Sequence, residues 1–296
     1  MIKPAIPVLS VGNLTTGGTG KTPVAGWIAG ELKARGAHPS IVMRGYGDDE
    51  PQVHRVMNPG VPVVVNSDRV QAVRQAAESG SDVAVLDDGF QHRRIWRSED
   101  VVLVSADQWT DTIRLLPAGP WREPLSSLAR SSLALVTRKA ADPDQAALLM
   151  RRLAPLTHTG TGAVAALVPG DLRHAVTGEV RPLSDIRGTR VLVAAGIGDP
   201  VSLAAQLQQA GARVELRRFP DHHRYVTSDI DQLARESRSF DFTLCTLKDS
   251  VKLGPRWPRE APPLWYVSLR CEIEVGGAEV SALLDRVLAA RSTQIR

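Results

Sequence analysis

Residues 11–23 read Val11-Gly12-Asn13-Leu14-Thr15-Thr16-Gly17-Gly18-Thr19-Gly20-Lys21-Thr22-Pro23. An apolar strand runs into a glycine-rich turn, and a helical pattern begins at Lys21. That order brings backbone N–H groups together with the positive end of a helix, an arrangement suited to a chain of phosphates. The usual pattern is Gly, four residues, then Gly-Lys-Ser/Thr. Counting back from Gly20, the first glycine position holds Thr15. Thr15 removes the freedom of one glycine and none of the later donors. The cradle is therefore expected to comprise Thr15, Thr16, Gly17, Gly18, Thr19, Gly20, Lys21 and Thr22. Lys21 is positioned to reach the β- and γ-phosphates of ATP, and the Thr22 hydroxyl to hold Mg²⁺. Partition-type ATPases use a deviant loop with an extra lysine before the Gly-Gly pair. Thr15 and Thr16 stand in that neighbourhood, which argues against a nucleotide-switched binding protein of that type.

A P-loop enzyme needs a carboxylate at the end of a buried strand to manage the metal. Val83–Arg94, VAVLDDGFQHRR, supplies Asp87 and Asp88 after four apolar residues. Adjacent strand residues face opposite ways, so one carboxylate is expected at the metal and the other at a loop or water. Arg44–Pro51, RGYGDDEP, is read as an acidic loop carrying Asp48, Asp49 and Glu50 past another strand. Arg218–Tyr225, RFPDHHRY, places Asp221, His222 and His223 in a loop further on. No other His, Cys or Glu cluster has spacing that would make a zinc site there.

Apolar runs alternate with helical patterns along the chain, which predicts α/β layers around a mostly parallel sheet. Strands are expected near 8–11, 40–43, 61–65, 83–86, 101–104 and 133–136, with helices over 21–35, 68–79 and 142–153. Leu153–Asp171 is rich in Thr, Gly and Pro and reads as a domain connection. A second α/β series follows, with strands near 191–195, 213–218, 242–246 and 264–268 and helices over 200–210, 227–237 and 278–290. The expected architecture is a P-loop NTPase-like parallel-sheet domain over 1–160, a smaller α/β domain over 161–296, and a cleft between them.

The 296 residues carry 36 basic and 32 acidic side chains, a net charge of +4. That mild basic lean does not indicate nucleic acid and suits an anionic substrate or membrane surface. Cys245 and Cys271 lie far apart in apolar segments and read as buried free thiols. No apolar run approaches the ~20 residues that span a bilayer, and no signal region opens the chain. The sequence as given is expected neither to cross a membrane nor to be exported.

Taken together, VGNLTTGGTGKTP, RGYG, DEP, LDDGFQHR, LLPAGPWREPL (Leu115–Leu125), AGIGDP (Ala195–Pro200), FPDHH and TLKDSVKL (Thr246–Leu253) resemble the tetraacyldisaccharide 4′-kinase family, the lipid A 4′-kinases. In that family the loop also carries a non-glycine at the Thr15 position. The resemblance implies transfer of the ATP γ-phosphate to the 4′-hydroxyl of a tetraacylated disaccharide 1-phosphate. It implies a base formed by the DEP acid, Asp49, with the first histidine after FPD, His222. Lys21, Mg²⁺ and Arg122 would neutralise charge. Asp48, Glu50, Gln91, His92, Arg122 and Glu123 are the candidate substrate contacts. Family members also carry a longer N-terminal segment with a membrane-gripping helix, and a longer loop between RGYG and DEP. With those two motifs nearly fused here, Asp48 competes for the role of Asp49. Peripheral contact at the cytoplasmic face of the inner membrane is then expected from His92–Arg97, HRRIWR, and from PAGPWREPL. No obligate protein partner is evident. The competing enzyme reading is a P-loop kinase for another sugar or alcohol.

Overall fold

The structure is a computed structural model describing residues 1–45 and 49–294. The chain forms two compact units, Met1–Leu167 with Cys271–Arg296, and Val168–Arg270. In chain order the first unit contains β1 (Val8–Asn13), α1 (Lys21–Ala34), β2 (Pro39–Met43), α2 (Asp49–Met57), β3 (Val63–Val65), α3 (Arg69–Glu78), β4 (Val83–Asp87), β5 (Glu99–Ser105), β6 (Leu133–Arg138) and α4 (Pro143–Leu153). β7 (Gly162–His174) begins in this unit and runs on into the second.

The sheet of the first unit has the order β7-β6-β5-β1-β4-β2-β3, and its ladders are parallel. β1 is flanked by β4 and β5, so the chain leaves the P-loop strand in both directions. Ligands of open parallel sheets bind outside the carboxyl ends of the strands at such a switch point. Alternating residues divide the core between two faces, as the pleat requires. Leu9, Val11, Val85, Leu103 and Leu135 pack beneath Val24, Ile28 and Leu32 of α1. On the other face, Val102, Val104 and Val136 pack against Ala146, Leu149 and Leu153 of α4, while Val8, Val42 and Leu86 meet Ala72 and Val73 of α3. Asp68 starts α3 by accepting from the N–H groups of Val70 and Gln71, and Asp142 caps α4 likewise.

The second unit continues with β8 (Val180–Arg181), β9 (Arg190–Ala195), α5 (Pro200–Gln209), β10 (Arg213–Arg218), α6 (Thr227–Glu236), β11 (Phe242–Thr246), α7 (Leu247–Leu253) and most of β12 (Leu264–Val275). Its sheet runs β10-β9-β11-β12, again parallel. α5 covers one face through Leu203 and Leu207, and α6 the other through Ile230 and Leu233. Cys245 is buried in this core; Cys271 packs on the core of the first unit, and both thiols are free.

Three expectations change. The final helix, α8 (Gly277–Gln294), lays Val280, Leu283, Leu284 and Val287 on the core of the first unit. Residues beyond Arg270 therefore do not group with the second unit. The stretch read as a domain connection contains the 13-residue β7, whose Gly162–Ala166 pair with β6 because its small apolar residues are buried. Finally, Asp49 and Glu50 open α2 instead of standing in a loop. Pro51 is compatible with this because a proline in the first helical turn forfeits no intrahelical bond. Asp48 lies outside the described residues.

Gly12 is needed for close approach. A Cβ there would stand 2.5 Å from Phe90 Cβ and 2.9 Å from the Phe90 nitrogen, both fixed by the turn after β4. Gly12→Ala is expected to cost about 3 kcal/mol through overpacking, read as a lowered denaturation midpoint.

Candidate active site

The P-loop is held from several sides. Gly20 sits at the N-cap of α1 in the left-handed region, φ 84°, where a glycine carries no steric penalty. Asn13 Nδ2 donates to Thr19 Oγ1 at 2.8 Å, and Thr137 Oγ1 donates to the Thr19 carbonyl at 2.9 Å. The Thr16 N–H donates to the Pro120 carbonyl at 2.8 Å, and the Arg122 N–H to the Leu14 carbonyl at 2.7 Å. The PAGPWREPL segment thus braces the loop, and Trp121 is core, 3% exposed. As the first residues of α1, Lys21 and Thr22 present N–H groups with no intrahelical acceptor. Left-handed Gly17 and Gly20 shape a backbone concavity there. This loop fits a polyphosphate.

The register Val11↔Asp87 sets the end of β4 beside the P-loop strand. Asp87 is buried, and its Oδ2 lies 2.8 Å from His54 Nε2. Burial raises the Asp87 carboxyl, but the bond to His54, that ring's charge, Lys21 and the Thr22 hydroxyl outweigh it and hold the group below the usual carboxylate range. Asp88 follows in the left-handed region, φ 57°. That turn, just past the strand, brings Asp88 round to Lys21 Nζ at 3.6 Å and Arg122 at 3.3 Å. The two carboxylates have different partners: Asp87 meets His54 and the Thr22 hydroxyl, and Asp88 meets Lys21 and Arg122. A hydroxyl with two carboxylates beside a polyphosphate cradle fits a hard cation such as Mg²⁺, which keeps few protein ligands. Among the described residues no group of three or more His, Cys, Asp and Glu forms a metal cluster of its own.

His54 carries no sequence signature. It lies within α2, five positions after Asp49, 0% exposed. His54→Ala would leave the buried Asp87 carboxylate without its nearest partner, and breaking a buried pair costs about 3–5 kcal/mol. Chemical denaturation of that variant is expected to show a loss in this range, with His54→Gln less affected.

The other predicted residues separate into distinct roles. Gln91 Nε2 donates to the Asn13 carbonyl at 2.8 Å and to Glu123 at 3.2 Å, and Glu123 also takes Arg130 at 2.8 Å. In this structure both brace the cradle. Burial, with Arg69, Arg94 and Arg97 nearby, pushes His92 below the ordinary imidazole value. Asp49 is 7% exposed at the start of α2, with Glu50 beside it. Lys139, just past β6, places Nζ 3.3 Å from the Gly18 carbonyl, and Asp107 accepts from the N–H groups of Lys139, Ala140 and Ala141. Its position after a parallel strand was the one available signal for it.

In the second unit the two adjacent histidines differ. His223 stacks on Phe219 with centroids 5.0 Å apart, and its Nε2 lies 2.8 Å from Asp229. It is part of the packing. His222 adopts φ 59°, rare for a non-glycine residue, with its side chain 46% exposed.

A strand–loop–helix cradle, a lysine over it and carboxylates on the neighbouring strand define a P-loop α/β protein of the phosphoryl-transfer class. The chain belongs to the tetraacyldisaccharide-1-P 4′-kinase family, LpxK: the family model matches residues 1–60 and 49–289. The two matches overlap over 49–60, a stretch that opens with DEP one residue after RGYG. The chain is 37% identical to a tetraacyldisaccharide 4′-kinase of Halorhodospira halophila, over 96% of this chain and 84% of that protein. It is 36% identical to one of Anaeromyxobacter dehalogenans, over 84% and 73%. A solved LpxK from Aquifex aeolicus, described as an "apo" form in complex with ATP, superimposes with a TM-score of 0.73 at 26% identity, covering 97% of this chain and 90% of that one.

Proposed function

We propose that this chain is an ATP-dependent kinase that phosphorylates the 4′-hydroxyl of tetraacyldisaccharide 1-phosphate, the lipid A precursor. The observation that carries the reading is the convergence of Lys21, Thr22, Asp87 and Asp88 at the carboxyl edge of one parallel sheet, in a member of the LpxK family.

The acceptor oxygen forms a bond to the γ-phosphorus while the bridge to the β-phosphate breaks, and ADP leaves. Such a transition state needs positioning and charge neutralisation more than covalent help. Lys21 and the N–H groups of the P-loop hold the phosphate oxygens, and Arg122 adds charge through its contact with Asp88. Mg²⁺, held by Thr22 with Asp87 and Asp88, would neutralise the β- and γ-oxygens. Asp49 and His222 together accept the hydroxyl proton. Asp49 belongs to the first unit and His222 to the second. Glu50 and His92 are proposed to meet the sugar or its 1-phosphate, and Gln91 and Glu123 to act on it through the loop they brace. ³¹P NMR of the lipid product tests this reading: a new phosphate monoester at the 4′ position supports it, and ADP release without that resonance overturns it.

We further propose peripheral contact with an anionic membrane. Among the described residues no helix is long and apolar enough to cross a bilayer. Ile2 and Trp96, 46% and 38% exposed, are joined by the bond from the Trp96 N–H to the Ile2 carbonyl, with exposed Arg93 and Arg94 alongside. Arg97 is not part of this surface, because it turns inward to Asp100 at 2.8 Å. Basic residues at an anionic surface contribute about 1 kcal/mol each. Flotation with anionic liposomes is expected to carry the protein upward, and Arg93→Glu with Arg94→Glu to leave it at the bottom.

A further inference from the structure

The motifs AGIGDP, FPDHH and TLKDSVKL meet at one buried carboxylate. Asp249 is 0% exposed, a position a charge occupies only when well partnered. It accepts from the Tyr225 hydroxyl at 2.8 Å, the Thr246 hydroxyl at 2.7 Å and the Gly196 N–H at 3.1 Å, with Lys252 Nζ at 3.8 Å. Gly196 and Thr246 lie at the ends of the neighbouring parallel strands β9 and β11, and Tyr225 in the connection from β10 to α6.

Gly196 links this carboxylate to His222. Its N–H goes to Asp249, and its carbonyl accepts the His222 N–H at 3.2 Å. A Cβ at Gly196 would stand 3.0 Å from Asp249 Oδ1 and 3.2 Å from the Tyr225 oxygen, so a side chain there would crowd both partners. Burial, and then the Asp249 charge, push the Tyr225 phenol far above its ordinary value, which keeps it a donor. The Asp249 N–H bonds Thr246 Oγ1 at 3.1 Å, setting the start of α7, from which Lys248 Nζ reaches His222 Nε2 at 3.1 Å. Asp221 also lies near that ring, 4.0 Å from Nε2, and its Oδ1 shares the His222 N–H with the Gly196 carbonyl at 3.1 Å. A left-handed non-glycine backbone persists only where its surroundings over-determine it, and these bonds are among those that hold His222.

We propose that Asp249 is the positioning residue for His222: its buried carboxylate ties the three strand-end loops together and holds the histidine in its left-handed conformation. This rests on the reading of His222 as part of the base.

The test is a double-mutant cycle on the full chain, with tetraacyldisaccharide 1-phosphate in micelles. Asp249→Asn is expected to lower kcat about 30-fold with the KM for ATP unchanged, to shift the His222 ring ¹⁵N resonances, and to add nothing on top of His222→Ala. A kcat within threefold of wild type, or a loss that adds in full to that of His222→Ala, overturns the positioning role while leaving the base reading intact. Full activity in His222→Ala overturns the base reading and this inference with it. If Asp249→Asn does not fold, Tyr225→Phe decides: about a fivefold loss, absent in the His222→Ala background, supports the role, and wild-type kcat overturns it.

Discussion

Lys21→Ala is expected to reduce phosphate transfer by about 10²–10³-fold, the scale on which loss of one preorganised charge at a transition state registers. Lys21 Nζ lies 3.6 Å from Asp88 and is 16% exposed, at the first position of α1. Its ammonium therefore already points into the cradle, held by a carboxylate that is in turn shared with Arg122. Removing it takes away positive charge where the γ-phosphate must spread its own. Lys21→Arg should not restore the rate, because a planar fork does not replace a compact ammonium in a site of this size. Steady-state kinetics with ATP varied separates the effect: kcat is expected to fall more than ATP affinity.

His222→Ala and Asp49→Ala are each expected to lower kcat by about 10²–10⁴-fold, the range of general base catalysis. The two residues act on one proton, so the double variant should lose little beyond either single one. ATP binding, measured directly by calorimetry, should remain, since neither side chain belongs to the P-loop. His223→Ala is the contrasting case: its ring is stacked on Phe219 and bonded to Asp229, so its loss should appear as instability more than as slow chemistry.

The fold was readable where chemistry constrains the chain most. The Gly-Lys-Thr run after an apolar strand marks β1, the loop and α1, and the Asp pair after VAVL marks the end of β4. The helix at the C-terminus was visible as an apolar stripe, but a stripe states that a face is buried and not against what; α8 packs on the first unit. β7 was hidden because its Gly, Ala and Pro residues are poor strand formers. The start of α2 at Asp49 was masked by the proline that the first helical turn tolerates. His54 was illegible for a different reason: its partner lies 33 residues away, and a lone histidine inside a helical pattern carries no local mark. The left-handed turn at Asp88 was not visible in the sequence, because β4 ends at Asp87 and the alternation of a strand does not extend beyond it.

The most direct measurement is the initial rate of γ-³²P transfer from ATP to tetraacyldisaccharide 1-phosphate in mixed micelles, run beside Lys21→Ala and Asp49→Ala. Labelled lipid formed in step with ADP by the wild-type chain, and only background in both variants, is the expected result. ATP binding without transfer, or transfer that survives Lys21→Ala, would contradict it.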